Sequence, residues 1–119
     1  MKKVLIVEDD PDIQKIYSEK LKNNDFDVIL ASDASLGFTI AKDENPSLIL
    51  LDIMLPGKMN GFELLEILKK DENLKKIPVI VLTNLDSEKE GALKIGANDY
   101  LIKATLELSE LVKKVQEYT

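Results

Sequence analysis

Four short apolar runs in this chain each lead into polar residues suited to phosphoryl chemistry. Val4–Val7 runs into Glu8, Asp9 and Asp10, Leu48–Leu51 into Asp52, Val79–Leu82 into Thr83, and Tyr100–Ile102 into Lys103. An aspartate at such a place can act as a nucleophile and form an acyl phosphate. Carboxylates gathered beside it repel one another, and a divalent cation relieves that cost. A lysine ammonium adds a point charge for incoming phosphate. Taken singly, each residue has an ordinary explanation. An acid after a strand is commonly a helix cap or a solvated loop residue, threonine is frequent in strands, a lone lysine belongs on the surface, and Tyr100 suits a packed aromatic. Asp10 is well explained as the cap of a helix that opens on Pro11. Glu8 and Asp9 have no such role, and no helical pattern starts directly after Asp52.

The elements that must bring these residues together are legible in the same runs. Apolar stretches without alternation suit strands buried on both faces of a parallel sheet, and the carboxyl ends of such strands form the ligand crevice. Between them lie helical patterns. Ile13, Ile16, Tyr17 and Leu21 recur at helical spacing after the Asp10 cap. Val28–Ala31 reads as a second strand. Asp33 caps a second helix that ends near Asn45-Pro46, with Gly37 inside it and Leu36 facing solvent. Phe62, Leu65 and Leu68 mark a third helix. Ser87-Glu88-Lys89-Glu90 reads as a capping box for a short fourth helix that Gly96 ends. Leu108, Leu111, Val112 and Val115 mark the last. Alternating strands and helices predict an α/β fold, a (βα)5 doubly wound, five-stranded parallel sheet with right-handed crossovers, as one domain over residues 1–119.

Composition narrows the chemistry. A chain of 119 residues with 45% hydrophobic and 32% charged residues is an ordinary globular composition. No apolar run is long enough to span a bilayer. Met1-Lys2-Lys3 and the apolar run behind it resemble the start of a signal peptide, but acids follow directly after Val7; we read a first strand and expect a cytoplasmic protein with no membrane partner. There is no Cys and no His. Disulfides and thiolate or imidazole ligands are excluded, so any metal must be held by oxygen, which favours Mg²⁺, Mn²⁺ or Ca²⁺ over Zn²⁺. The net charge is −6 and every basic residue is lysine, a poor basis for binding nucleic acid.

Four segments, Val4–Pro11, Leu48–Leu65, Ile77–Thr83 and Gly96–Lys103, together resemble the receiver domain of two-component response regulators. The resemblance covers the whole chain. It implies the flavodoxin-like strand order 2-1-3-4-5. It implies that Asp52 accepts phosphate from a histidine on a partner kinase or phosphotransfer protein. Asp9, Asp52 and the backbone carbonyl of Met54 would ligate Mg²⁺, with Mn²⁺ as a substitute and Glu8 acting through water. Lys103 would pair with the phosphate, Thr83 would swing towards it, and Tyr100 would turn inward afterwards. The face built by the fourth helix, fifth strand and fifth helix would then change partners, as a monomer or a phosphorylation-dependent dimer with an output protein the sequence does not name. Met54 and Leu85, each two residues past a site residue, are expected to tune the lifetime of the phosphorylated state. Four features depart from the family pattern. Ala104 follows Lys103 where proline is usual, which predicts a rebuilt loop with a trans bond. Asn84 follows Thr83 where a small residue is usual. The segment Pro56–Gly61 is one residue longer and carries Asn60 in place of Asp, and the start of the last helix is also one residue longer.

Other functions fit less well. A flavin or nucleotide module on this architecture needs a Gly/Ser/Thr-rich loop after the first strand, and Glu8-Asp9-Asp10-Pro11 repels phosphate unless metal intervenes. An aspartate-based phosphatase needs a second acid two residues after its nucleophile, where this chain has Met54. A pseudo-receiver that only binds proteins has no need of all five site residues. The reading is therefore a signalling domain that catalyses only its own phosphorylation and dephosphorylation.

Overall fold

A computed structural model describes residues 1–119. Strands β1 (Lys2–Val7), β2 (Phe26–Ala31), β3 (Leu48–Leu51), β4 (Val79–Thr83) and β5 (Asp99–Ile102) form one parallel sheet in the order β2-β1-β3-β4-β5. Helices α1 (Pro11–Lys22), α2 (Ala34–Glu44), α3 (Gly61–Lys70), α4 (Lys89–Ile95) and α5 (Leu108–Tyr118) follow the strands in turn. The five-stranded expectation and its order hold.

The unbroken apolar runs are explained by burial on both faces. Leu5, Val7, Ile49, Leu51, Val79 and Val81 join Leu64, Leu65 and Leu68 of α3 and the alanines of α2 and α4 in one core. The alternate residues Val4, Ile6, Leu48, Leu50, Ile80 and Leu82 join Tyr17 and Leu21 of α1 and Leu111, Val112 and Val115 of α5 in the other. Each large aliphatic buried this way contributes about 1.5–3 kcal/mol, so the central strands have no alternative placement of comparable stability. Leu36 lies on the solvent side of α2, as its position in the pattern requires.

Several boundaries move. β2 begins at Phe26 and β5 at Asp99, each earlier than the apolar pattern indicates, because pairing with β1 and β4 recruits Asp27 and Asp99 as ladder residues. The capping box assigned to Ser87 is not formed. Glu88 occupies the cap position of α4, with φ −100° and ψ 2°, and no side chain caps the helix. A capping box is present instead at α3, where the Asn60 side chain accepts from the Glu63 N–H at 2.9 Å and Glu63 accepts from the Asn60 N–H at 3.0 Å. Asn60, the residue that departs from the family's usual Asp, therefore has a local role that the amide fills. Gly96 ends α4 at φ +130°, as expected. All peptide bonds are trans, Lys103–Ala104 included, and residues Lys103–Thr105 form a single 3-10 turn. No helix is long and apolar enough to cross a membrane.

Candidate functional site

Strand register builds the site. Val7 pairs with Leu51 and Leu51 with Val81, so the residues that follow these strands emerge at one rim. The Asp52 N–H continues the ladder onto the Val7 carbonyl at 3.0 Å, and the Glu8 N–H onto the Ala31 carbonyl at 3.0 Å. Strand alternation then sends neighbouring side chains to different environments: Glu8 is buried and Asp9 is exposed. Carboxylate oxygens of Glu8, Asp9 and Asp52 all lie within 4.8 Å of one another.

Lys103 ties Glu8 and Asp52 together. Its Nζ donates to both Glu8 oxygens, at 2.9 and 2.8 Å, and to Asp52 Oδ2 at 2.7 Å. The sequence distances are 95 and 51 residues. All three side chains are at most a tenth exposed, so these ion pairs are shielded from water in a way that surface pairs are not. Burial raises the Glu8 carboxyl to about 7; contact with Lys103 opposes that rise and the Asp52 charge adds to it. Burial pushes the Lys103 ammonium down, but its hydrogen bonds to Asp52 and Glu8 outweigh this and hold it above its ordinary value.

Two matching turns shape the rim. Asp52 Oδ1 accepts from the Met54 N–H at 2.9 Å, and Thr83 Oγ1 accepts from the Leu85 N–H at 3.3 Å. Each strand-end residue thus ties down the residue two positions on. Met54 and Leu85 both remain exposed at this rim, Met54 at 58% and Leu85 at 37%. Thr83 is buried. Tyr100 is also buried, and its hydroxyl donates to the Leu85 carbonyl.

Sequence reasoning missed three contributors. Gln14 Nε2 donates to the Glu8 carbonyl from the first turns of α1, and no pattern distinguishes it from any other polar helix residue. Asn84 Oδ1 accepts from the Ala104 N–H at 2.8 Å; the signal was present as two departures from the family pattern, which the sequence offers separately. Gly61 lies against the segment that follows Asp52. A Cβ there would stand 2.3 Å from Ile53 Cα and 2.4 Å from the Asp52 carbonyl oxygen, and no rotamer change relieves a clash with backbone. Gly61→Ala is expected to lower stability by about 1–3 kcal/mol or more and to displace Asp52. Denaturant unfolding checks the first, and backbone amide shifts at Ile53 and Met54 the second. Unfolding identical to wild type would show that the helix can back away freely.

A buried carboxylate just past a central strand, a second buried acid that shares its lysine partner, and an exposed acid beside them thus stand together at the carboxyl edge of a doubly wound sheet. The family model for the response regulator receiver domain matches residues 4–116, and the chain belongs to that family. It is 36% identical over 105 residues to the protein PilH of Pseudomonas aeruginosa, covering 87% of this chain and 86% of that protein. It is 37% identical over 118 residues to RpaA of Synechocystis, a DNA-binding dual master transcriptional regulator, covering 98% of this chain but 48% of that protein. The chain spans about half the length, or less, of most curated relatives it matches. Among solved structures, a Francisella response-regulator receiver domain superposes with a TM-score of 0.90 at 33% identity, covering 99% of this chain and 96% of the other. Chemotaxis regulator CheY4 of Vibrio cholerae superposes with a TM-score of 0.91 at 26% identity, covering 100% and 99%. The fold and family expected from the sequence are therefore those found, and this is the signalling part of a two-component system.

Proposed function

We propose that Asp52 is the phosphoacceptor of this receiver, and that Glu8, Asp9, Lys103 and Thr83 serve its phosphorylation. The observation that carries this is the trio of carboxylates within 4.8 Å, two of them, Glu8 and Asp52, bridged by one buried ammonium. The residues fit a hard divalent cation. The clustered donors are carboxylate oxygens, the chain has no thiolate or imidazole ligand, and three acids facing a single lysine leave negative charge to be neutralised. Asp9 and Asp52, with the Met54 carbonyl, would hold Mg²⁺ or Mn²⁺ directly, and Glu8 through water. The cation supplies charge neutralisation between the carboxylates and the phosphoryl oxygens.

The chain's own residues do the rest. An Asp52 oxygen attacks the phosphorus of a phosphohistidine on a kinase or phosphotransfer protein. The P–N bond breaks, its electron pair leaves with the imidazole nitrogen, and that nitrogen takes up a proton from solvent. Lys103, already 2.7 Å from Asp52, keeps its positive charge beside the new phosphoryl group. The Thr83 hydroxyl can turn from the Leu85 N–H to donate to that group. Leu85 holds Thr83 through its N–H and Tyr100 through its carbonyl, so such a turn is felt at β5 and α4. The α4-β5-α5 face is then the surface that exchanges output partners, as monomer or dimer. Treatment with acetyl phosphate and Mg²⁺ should add the mass of one phosphoryl group, removable by hydroxylamine as an acyl phosphate requires. A chain that stays at its unmodified mass would refute the reading.

Glu8 also makes the metal site pH-dependent. Its carboxyl is raised above 4.5 to about 7 in the folded chain, so the protonated form persists to higher pH there than in the unfolded chain. The metal-free fold accordingly loses this contribution as pH rises from 4.5 to about 7. A cation prefers the ionised acid. Mg²⁺ affinity should rise by up to about tenfold per pH unit as pH climbs towards about 7 and level off above it. Titrations from about pH 5.5 to about pH 8 should show this slope in wild type and a shallower one in Glu8→Gln. Asp9→Ala should weaken binding throughout. Equal wild-type affinity at both ends would remove Glu8 from the metal's surroundings.

A further inference from the structure

Two departures from the family pattern, Asn84 after Thr83 and Ala104 after Lys103, meet in one contact: Asn84 Oδ1 accepts from the Ala104 N–H at 2.8 Å. Proline in place of Ala104 would have no N–H to give, and a small residue in place of Asn84 would have no amide oxygen to take it. The contact joins the two loops that carry the working ends of β4 and β5. On one side, Asn84 lies between Thr83 and Leu85, whose hydroxyl and N–H are bonded to each other. On the other, Ala104 is the middle residue of the 3-10 turn Lys103–Thr105, which the Leu106 N–H closes on the Lys103 carbonyl at 3.3 Å. That turn is the base from which Lys103 reaches Glu8 and Asp52. Apart from the Lys103 ammonium, its other ties are weak: the bond that closes it is 3.3 Å long, and Thr105 Oγ1 reaches the Ile102 carbonyl at 3.4 Å. The Asn84 bond, at 2.8 Å, is shorter than both.

We infer that Asn84 is a positioning residue for phosphoryl transfer, which through the Ala104 N–H holds the Lys103 turn in register with Thr83. The inference rests on Asp52 being the phosphoacceptor. The amide bond replaces the covalent stiffness of proline with a link that spans both loops, so a displacement of Thr83 reaches Lys103 directly and not only through the sheet. A single exposed hydrogen bond of this kind is worth a few-fold in an equilibrium or rate.

The test compares wild type, Asn84→Ala and Asn84→Asp. Asn84→Asp keeps an oxygen acceptor of the same reach, and the assays run in enough salt to screen its added charge. Amide hydrogen exchange at Ala104 reads the bond, and the initial rate of acetyl phosphate labelling with Mg²⁺ reads its consequence. In Asn84→Ala, Ala104 exchange should quicken and labelling should slow, each by roughly two- to tenfold, while Asn84→Asp restores both. A purely structural role would lower the unfolding midpoint without the labelling defect or its rescue. Asn84→Ala labelling at the wild-type rate overturns the inference, as does unchanged Ala104 exchange or a failure of Asn84→Asp to rescue. If wild type itself takes up no phosphate, the assignment of Asp52 falls and the role of Asn84 falls with it; only in that case is the wild-type chain inert.

Discussion

Asp52→Asn is expected to take up no phosphate from acetyl phosphate under conditions that label wild type. An amide oxygen is a far weaker nucleophile than a carboxylate, and the neutral side chain no longer draws in a cation. Other acids stand nearby, but none is a substitute. Glu8 is buried with both oxygens on Lys103, and Asp9 is exposed and off the sheet. The fold should survive. The substitution preserves shape and keeps the acceptor for the Met54 N–H, which now sits at 2.9 Å. Some loss of stability is expected because Lys103 gives up one of two buried anionic partners, while the Glu8 pair remains. Intact mass after labelling, with thermal unfolding as the control for folding, decides the matter. Labelling of the variant equal to wild type would move the phosphoacceptor to another residue.

The second large effect concerns how long the phosphorylated state lasts. Hydrolysis needs a water in line with the phosphorus–Asp52 oxygen bond. Met54 and Leu85 are tied to the residues at the ends of β3 and β4 and stand exposed at this rim. Neither side chain can orient a water by hydrogen bonding, and each is bulky enough to crowd one out. Losing a positioned water costs roughly 1.4–2.7 kcal/mol of barrier, or about tenfold to a hundredfold in rate. Slow autodephosphorylation is therefore expected. Met54→Asn and Leu85→Glu should each speed the decay, and the double variant should decay fastest. Both residues are exposed and outside the two cores, so these changes should leave folding intact. Equal lifetimes in all four proteins would mean that the apolar pair does not control access. The Tyr100 hydroxyl on the Leu85 carbonyl provides a control: Tyr100→Phe frees that carbonyl without changing either apolar side chain.

The sequence by itself determined the sheet and its layers, and it named the polar residues that gather at one rim. Unbroken apolar runs have only one low-energy environment, burial on both faces, and each run leads into a residue of the proposed site. Helix ends were legible where the cap is local, as at Asp10 with Pro11 and at Gly96. They were not legible at Ser87, where the capping pattern is present but the chain passes it by. The preceding residues Thr83–Leu85 are held by the site and by Tyr100, and the helix starts where that loop lets it. Only the tertiary structure decided the charge state and couplings of the site. That Glu8 is buried while Asp9 is exposed follows from strand direction. Lost water raises the Glu8 carboxyl and a lysine 95 residues away opposes that rise, and neither is a property of neighbouring residues in the chain. The inward Tyr100 and the Asn84–Ala104 link belong to the same class. Each depends on a contact between loops whose separation is set by strand register, and the residue types allow such contacts without specifying them.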